Sequence, residues 1–254
     1  YTVPRSGWQN KGSSTVFAED EWFSTLKKTL YMDELVTKHS AIMDQYDPDK
    51  KVGLIVDEWG TWYDVEPGTN PGFLYQQNTI RDALVAGTNL NIFNNHCDRV
   101  QMANIAQTIN VLQSIILTEG ERMILTPTYH VFNMYKVHQD ANLLQLDINS
   151  PEYIYNGESI PQVNASASIN NENKIHISLC NMNPHESANI NCQLRGRNCS
   201  YVNGTVVTAG AINEHNTFEN CNNVKPQVFN SATLKDGTLN VTMPPMSIVV
   251  LTVD

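Results

Sequence analysis

The chain has little positive charge and no long hydrophobic run. It carries 26 acidic against 16 basic residues, a formal net charge of −10. Such a balance repels phosphate backbones and anionic lipid. No stretch approaches the roughly 20 apolar residues that a membrane-spanning helix needs. We therefore expect no nucleic-acid and no membrane partner, whereas a neutral substrate such as a sugar is compatible with this composition.

Motifs for phosphate, metal or serine chemistry are also missing. There is no glycine-rich phosphate loop and no Cys-x-x-Cys pair. Ser13 and Ser14 follow Gly12 without the strand–turn–helix context that a nucleophilic serine requires. His130 and His138 have no Cys or carboxylate partner at ligand spacing. We expect no metal and no cofactor.

The five cysteines leave the redox compartment open. Cys97 stands alone in the first half, and the other four lie close together in the second half: Cys180, Cys192, Cys199 and Cys221. Reduced thiols and one or two disulfides are equally compatible with this spacing. The chain begins at Tyr1 rather than at a methionine, and we expect it to be part of a longer protein, either cytoplasmic or extracytoplasmic.

The first half alternates helical and strand patterns. The predicted elements are a helix over Ser24–Tyr46, a strand over Val52–Val56, a helix over Phe73–Val85 ending at Gly87, a strand over Leu90–Phe93, and a helix over Met102–Thr118. Alternation of this kind is typical of a parallel sheet with helical crossovers. Because a (β/α)₈ TIM barrel needs eight strands, these units would be its last part.

After about Glu121 the pattern changes to short β-rich runs separated by Gly, Asn, Pro and Ser. Regularly spaced short strands predict an antiparallel β-sandwich. The predicted fold class is therefore α/β plus all-β, with the last part of a (β/α)₈ barrel over residues 1–122 and a β-sandwich domain over residues 123–254.

The segment Val56–Tyr63 contains the strongest chemical signal. Asp57 and Glu58 directly follow an apolar strand, and Trp59, Trp62 and Tyr63 come next. Catalytic groups of (β/α)₈ barrels lie at the C-terminal ends of strands, and a carboxylate there can attack an anomeric carbon. On spacing alone, solvated loop acids beside core tryptophans explain the pattern equally well.

A family resemblance favours the catalytic interpretation. Three segments resemble α-L-arabinofuranosidases of glycoside hydrolase family 51: Tyr1–Pro4, Asp57–Gly72 and Asp98–Gln107. The resemblance runs from Tyr1 to about His138 and is weaker beyond. It implies a (β/α)₈ barrel followed by a β-sandwich, and release of terminal α-L-arabinofuranosyl groups with retention, from arabinan or arabinoxylan.

The resemblance also implies roles for individual residues. Glu58 corresponds to the catalytic nucleophile, Trp62 lines the sugar site, and Tyr1 contacts sugar and nucleophile. Trp59 of the same motif is grouped with the substrate-binding aromatics. The family's acid/base is a Glu after an Asn at an earlier strand end, and no such pair occurs at a barrel strand here.

Two Asn-Glu pairs, Asn171-Glu172 and Asn213-Glu214, lie in the predicted sandwich. The chain alone should then be inactive, and its expected partner is the N-terminal half of the same enzyme or, failing that, a second copy of itself. The alternative is a non-catalytic carbohydrate-binding or structural β-sandwich fragment.

Three residues near the second predicted strand complete the candidates. His96 and Asp98 either border the active site or cap a loop, and we expect Arg99 to pair with a buried acid.

Overall fold

The computed structural model describes residues 1–254. Its first half contains helix α1 (Glu19–Asp44), strand β1 (Leu54–Trp59), helix α2 (Ile80–Asn95) and strand β2 (Val100–Ile105). Strands β1 and β2 are parallel, with Leu54 opposite Val100 and Val56 opposite Ala103. A parallel bridge joins Thr2 to Thr61 just beyond β1. Three chain segments therefore run side by side in one direction.

Helix α2 differs from the prediction over its whole length. It begins at Ile80 rather than Phe73, and it continues through Leu90–Phe93, which was predicted as a strand. Gly87 lies inside the helix and not at its end. A Cβ there would stand 2.7 Å from the Cys180 Sγ, so the close packing of α2 on the sheet favours glycine at this position. Almost all of the helix is buried, so no polar face marks its period in the sequence.

The predicted helix over Met102–Thr118 is wrong. That stretch forms β2, then β3 (Gln107–Ile109) and β4 (Ser114–Glu119), and β4 pairs with β5 (Arg122–Leu125) through a turn at Gly120. The parallel partner of β1 is therefore β2, and not Leu90–Phe93. Pairing with neighbouring strands decides this region, which tertiary context does more often for strands than for helices.

Helix α3 (Pro127–Tyr135) is a second correction, since helical structure does not stop at Glu121. Thr126 caps it by accepting a hydrogen bond from the Tyr129 amide, and Pro127 occupies the first helical position. None of the helices has the length and apolar character that crossing a bilayer requires.

The second half is all-β, as predicted. Its strands are β6 (Asn142–Leu144), β7 (Glu152–Tyr155), β8 (Glu158–Pro161), β9 (Val163–Ile169), β10 (Ile175–Asn181), β11 (Ala188–Gln193), β12 (Val202–Val207), β13 (Gln227–Val228), β14 (Ala232–Lys235), β15 (Thr238–Met243) and β16 (Ser247–Val253). All pairings among them are antiparallel. No helix interrupts Lys174–Val207.

Two of these sheets pack face to face. The six-stranded sheet has the order β13-β12-β16-β10-β9-β6, and the three-stranded sheet has the order β11-β15-β14. Ile177 and Leu251 of the first share one buried cluster with Leu239 and Val241 of the second. On its other face the six-stranded sheet packs against α2 and α3, so that Cys180 and Ile248 belong to the same core as Trp59. The division of domains between residues 122 and 123 stays a prediction.

Candidate functional site

The exposed acid Glu58 lies at the C-terminal end of β1, where the predicted nucleophile should be. The Tyr1–Val3 segment runs beside this end of the strand. The Thr2 amide donates to the Gly60 carbonyl (2.8 Å), and the Trp62 amide donates to the Thr2 carbonyl (3.0 Å). These backbone bonds bring Tyr1, Glu58 and Trp62 to the same edge of the parallel segments.

Tyr1 lies near Glu58. Partial burial, and then the nearby Glu58 carboxylate, raise the pKa of the Tyr1 hydroxyl well above its usual value. The phenol therefore stays protonated at physiological pH beside the Glu58 carboxylate.

Aromatic rings surround this pair. The Tyr1 and Trp62 rings meet edge to face with 5.2 Å between centroids, and Trp8 meets Trp62 in the same way at 5.1 Å. The Lys11 ammonium lies 5.9 Å from the Trp62 ring. Trp8 is 62% exposed, and the sequence analysis did not identify it as a site residue. Its position in a loop with Gly and Ser, just after Tyr1–Pro4, was a signal that could have pointed to it.

Trp59 is not brought into this group. It is 1% exposed and lies in the core, stacked on Phe132 at 5.9 Å and edge-on to Phe93 at 5.5 Å. The pairing register with β2 shifts between Val56 and Trp59, and at this irregular strand end Asp57 and Glu58 are both exposed while Trp59 is buried. The structure thus separates Trp59 from Tyr1 and Trp62, with which the sequence had grouped it.

The loops that follow β1 are held by charged side chains. The Asp64 carboxylate accepts hydrogen bonds from the Lys11 and Gly12 amides at 3.2 and 3.1 Å. Glu66 accepts from the Ser14 hydroxyl and from the Gln77 amide. The loop after Tyr1 and the loop after Glu58 are therefore fastened to each other beside the site.

The candidates near the second strand lie elsewhere. His96 ends α2 and contacts Asp33 (2.7 Å), and Asp98 pairs with Lys50. Both precede β2, so they lie toward the N-terminal ends of the parallel strands, away from the end that carries Glu58. Of the two interpretations offered for them, the structure favours loop contacts.

Arg99 pairs with acids, as expected, but the buried member is the arginine. Its side chain is almost fully enclosed, and it pairs with Asp44 and, at 2.8 Å, with Asp47. Its Nη1 also donates to the Val52 carbonyl (2.9 Å), so Arg99 fixes the turn between α1 and β1.

The remaining candidates stand apart from Glu58 in the fold. Glu172 lies in the β9–β10 turn and pairs with Lys174 at 2.8 Å, while the Glu214 carbonyl accepts from the Ile80 amide at the start of α2. His138 lies between the hydroxyls of Ser168 and Ser178. No two of the five cysteines are joined in a disulfide in this structure.

The arrangement has a counterpart among known proteins. Residues 57–247 match the family model described as "Alpha-L-arabinofuranosidase C-terminal domain". The chain belongs to this family. The match begins one residue before Glu58 and covers most of the chain, which confirms the resemblance to family 51 enzymes drawn from the sequence.

Individual relatives of the chain are named as members of the same enzyme family. The chain is 47% identical over 253 residues to an "Intracellular exo-alpha-L-arabinofuranosidase" of Bacteroides ovatus, covering 99% of the chain and 49% of the relative. The crystal structure of the GH51 arabinofuranosidase from Xanthomonas axonopodis pv. citri superposes on all of the chain with a TM-score of 0.98 and 50% identity, over 51% of that protein. An arabinose complex of the α-L-arabinofuranosidase from Thermotoga maritima shares the fold, with a TM-score of 0.77 at 23% identity. The chain spans about half the length of these relatives.

Proposed function

We propose that this chain carries the nucleophile half of the active site of a retaining exo-acting α-L-arabinofuranosidase. The observation that carries the proposal is the exposed Glu58 carboxylate at the C-terminal end of a parallel strand, at the same edge as the Tyr1–Trp62 aromatic pair. The Bacteroides ovatus and Xanthomonas axonopodis relatives are named as arabinofuranosidases, which supports the same substrate class.

The proposed chemistry starts from the exposed Glu58 carboxylate. Glu58 attacks the anomeric carbon while a second carboxyl group protonates the leaving oxygen, and water then releases the sugar from Glu58 with overall retention. The Tyr1 hydroxyl stays protonated near the carboxylate, and Trp62 offers a flat face to the sugar C–H surface. Trp8 extends the aromatic surface beyond Trp62.

The second carboxyl group has to come from outside the chain. Retention requires the two carboxyls to stand about 5–5.5 Å apart. Neither Asn-Glu pair of the chain lies at the end of a parallel strand, and the relatives are about twice as long. We infer that an upstream half supplies the acid/base and the missing barrel strands, and that the parallel segments Tyr1–Val3, β1 and β2 are the last part of a (β/α)₈ barrel.

The decisive experiment measures hydrolysis of p-nitrophenyl α-L-arabinofuranoside by the chain alone and by the chain produced together with its upstream half. We expect activity only from the pair. In the pair, Glu58→Gln should lower kcat by roughly 10³-fold or more, as loss of a nucleophile does. Asp57→Asn is the matched control, because Asp57 is an exposed neighbouring carboxylate on the same strand and should keep near-normal activity.

The alternative is a carbohydrate-binding or structural module without catalysis. In that case arabino-oligosaccharides would bind the chain alone with the same affinity in wild type and in Glu58→Gln, and pairing with the upstream half would produce no hydrolysis. That result would replace the enzymatic proposal.

A further inference from the structure

The segment that follows Glu58 has two faces with different surroundings. Thr61 and Tyr63 point inward and are fully buried, whereas Trp62 between them points outward to Tyr1 and Trp8. Extended backbone imposes this alternation. The direction of the Trp62 ring is therefore fixed by whatever holds Thr61 and Tyr63.

A single buried carboxylate holds both residues. Asp82 Oδ1 accepts hydrogen bonds from the Thr61 hydroxyl (2.6 Å) and from the Tyr63 hydroxyl (3.0 Å). Asp82 Oδ2 accepts from the Thr79 amide (2.7 Å), as part of the capping box that starts α2. Capping requires only the Thr79 bond. The two bonds to Oδ1 reach back to the residues on either side of Trp62.

The backbone on both sides of Trp62 is held by side chains as well. The Thr61 amide donates to Gln113 Oε1 (2.9 Å), and Gln113 Nε2 donates to the Asp82 carbonyl (2.8 Å). The Tyr63 amide donates to Gln76 Oε1 (2.9 Å). These bonds fix the Thr61–Tyr63 backbone relative to the start of α2.

The face of Tyr63 completes the enclosure. The Arg81 guanidinium lies 4.2 Å from the Tyr63 ring and 3.5 Å from the Phe17 ring, and it donates to the Ser13 carbonyl (3.2 Å). Burial is the main reason that the pKa of the Tyr63 hydroxyl is raised. The hydroxyl therefore stays protonated and donates to Asp82, a carboxylate that the helix N-terminus also stabilises.

We propose that Asp82 is a positioning residue for sugar binding, which acts through Thr61 and Tyr63 to set the orientation of Trp62. The inference rests on the proposed function, in which Trp62 contacts the sugar. Loss of the Asp82 bonds would let the Trp62 ring move relative to Glu58, and displacements of about 1 Å in an active site can cost about 10²-fold in rate.

The test uses a matched pair of substitutions that leaves the Asp82 capping bond intact. Thr61→Val has the shape of threonine without the hydroxyl, and Thr61→Ser keeps the hydroxyl. Each variant is labelled with 5-fluorotryptophan, and Trp62→Phe assigns the ¹⁹F signal of Trp62. We expect Thr61→Val to shift and broaden that signal, and Thr61→Ser to leave it in place. The signal of Trp22, whose indole donates to the Met182 carbonyl in the core, is the internal control.

Kinetics of the chain paired with its upstream half give the second measurement. On p-nitrophenyl α-L-arabinofuranoside, Thr61→Val should lower kcat/KM by on the order of 10²-fold, and Thr61→Ser should retain most of it. Tyr63→Phe removes the other hydrogen bond to Asp82 Oδ1 and should also lower kcat/KM. It replaces Thr61→Val in both measurements if that variant does not fold.

Two outcomes separate this inference from the proposed function. If Thr61→Val and Tyr63→Phe only lower the melting temperature, with an unchanged Trp62 signal and unchanged kcat/KM, Asp82 is structural and the inference is overturned. If the wild-type pair hydrolyses no arabinofuranoside while the Trp62 signal still responds to Thr61→Val, the positioning geometry stands and the proposed function fails.

Discussion

Strands β1 and β10 differ in how far neighbouring elements of the same chain bury them. All seven residues of β10 are buried, because β9 and β16 flank it and the two faces of its sheet are covered by α2 and by the second sheet. In β1 only Trp59 is buried. Ile55 is 44% exposed and its partner Met102 on β2 is 55% exposed. The sandwich thus has its partners within the chain, whereas the parallel strands present an apolar face without cover.

The largest expected effect concerns that uncovered face. At roughly 25 cal/mol per Å², a few hundred Å² of exposed apolar surface costs several kcal/mol. We predict that the isolated chain sediments as associated species and binds a hydrophobic dye. Lysine at Ile55 and Met102 should reduce both effects. Lysine at Val228, which is exposed on an edge strand of the sandwich, is the control and should change neither. If the wild-type chain is a monodisperse monomer that binds no dye, the apolar face of β1 and β2 is not an uncovered surface, and the contrast with the sandwich fails.

The second prediction compares core deletions in the two halves. Leu251 is fully enclosed between the two sheets, so Leu251→Ala should lower the free energy of unfolding by about 2–5 kcal/mol. Ile55→Ala on the exposed strand should change it by less than about 0.5 kcal/mol. Urea unfolding followed by circular dichroism measures both, and equal losses would remove the distinction between the halves.

The third prediction concerns pH and the junction between α3 and the sandwich. Burial, and then the neighbouring His176, lower the pKa of His138 from 6.5 to about 4. The folded state favours the neutral ring, held between the Ser168 and Ser178 hydroxyls at 2.7 and 2.6 Å, whereas the unfolded state takes up a proton below about 6.5.

Stability should therefore be complete above pH 6.5 and decline as pH falls toward 4, by at most about 3 kcal/mol from this group. His138→Gln should flatten the decline in urea titrations over that range. His39→Gln, on an exposed part of α1, should leave the pH profile as it is in wild type. A wild-type profile that is flat between pH 6.5 and 4 would refute the role of His138.

The smallest effect is expected at the sandwich surface. Glu172 pairs with Lys174 in the exposed β9–β10 turn, and solvent screening leaves such exposed ion pairs little effect on stability. Glu172→Gln should therefore shift the melting temperature by no more than a few degrees, and 1 M salt should abolish the difference. A larger loss would mean that this turn, and not the sheet interior, limits the stability of the sandwich.

The sequence was informative where a local pattern coincides with an element that has one solvent-facing side. The helix predicted over Ser24–Tyr46 corresponds to α1, whose polar face is exposed, and the β-rich runs after residue 140 correspond to sandwich strands with turn residues between them. The motif around Glu58 is specific enough to indicate the family from residue order alone. Local pattern failed for α2, which is buried on nearly every side, and for β2 to β4, whose identity depends on pairing partners far along the chain.

The sequence by itself determined the family, the strand end at Glu58, and the change from mixed to all-β structure, because each depends on residue order within a short window. Only the tertiary structure decided that Trp59 lies in the core while Trp62 faces Tyr1 and Trp8. It also decided that Asp82 accepts hydrogen bonds from Thr61 and Tyr63, the residues on either side of Trp62. The physical reason is that the direction of a side chain depends on the alternation of extended backbone and on hydrogen bonds to residues about 20 or more positions away, and neither is written in local composition.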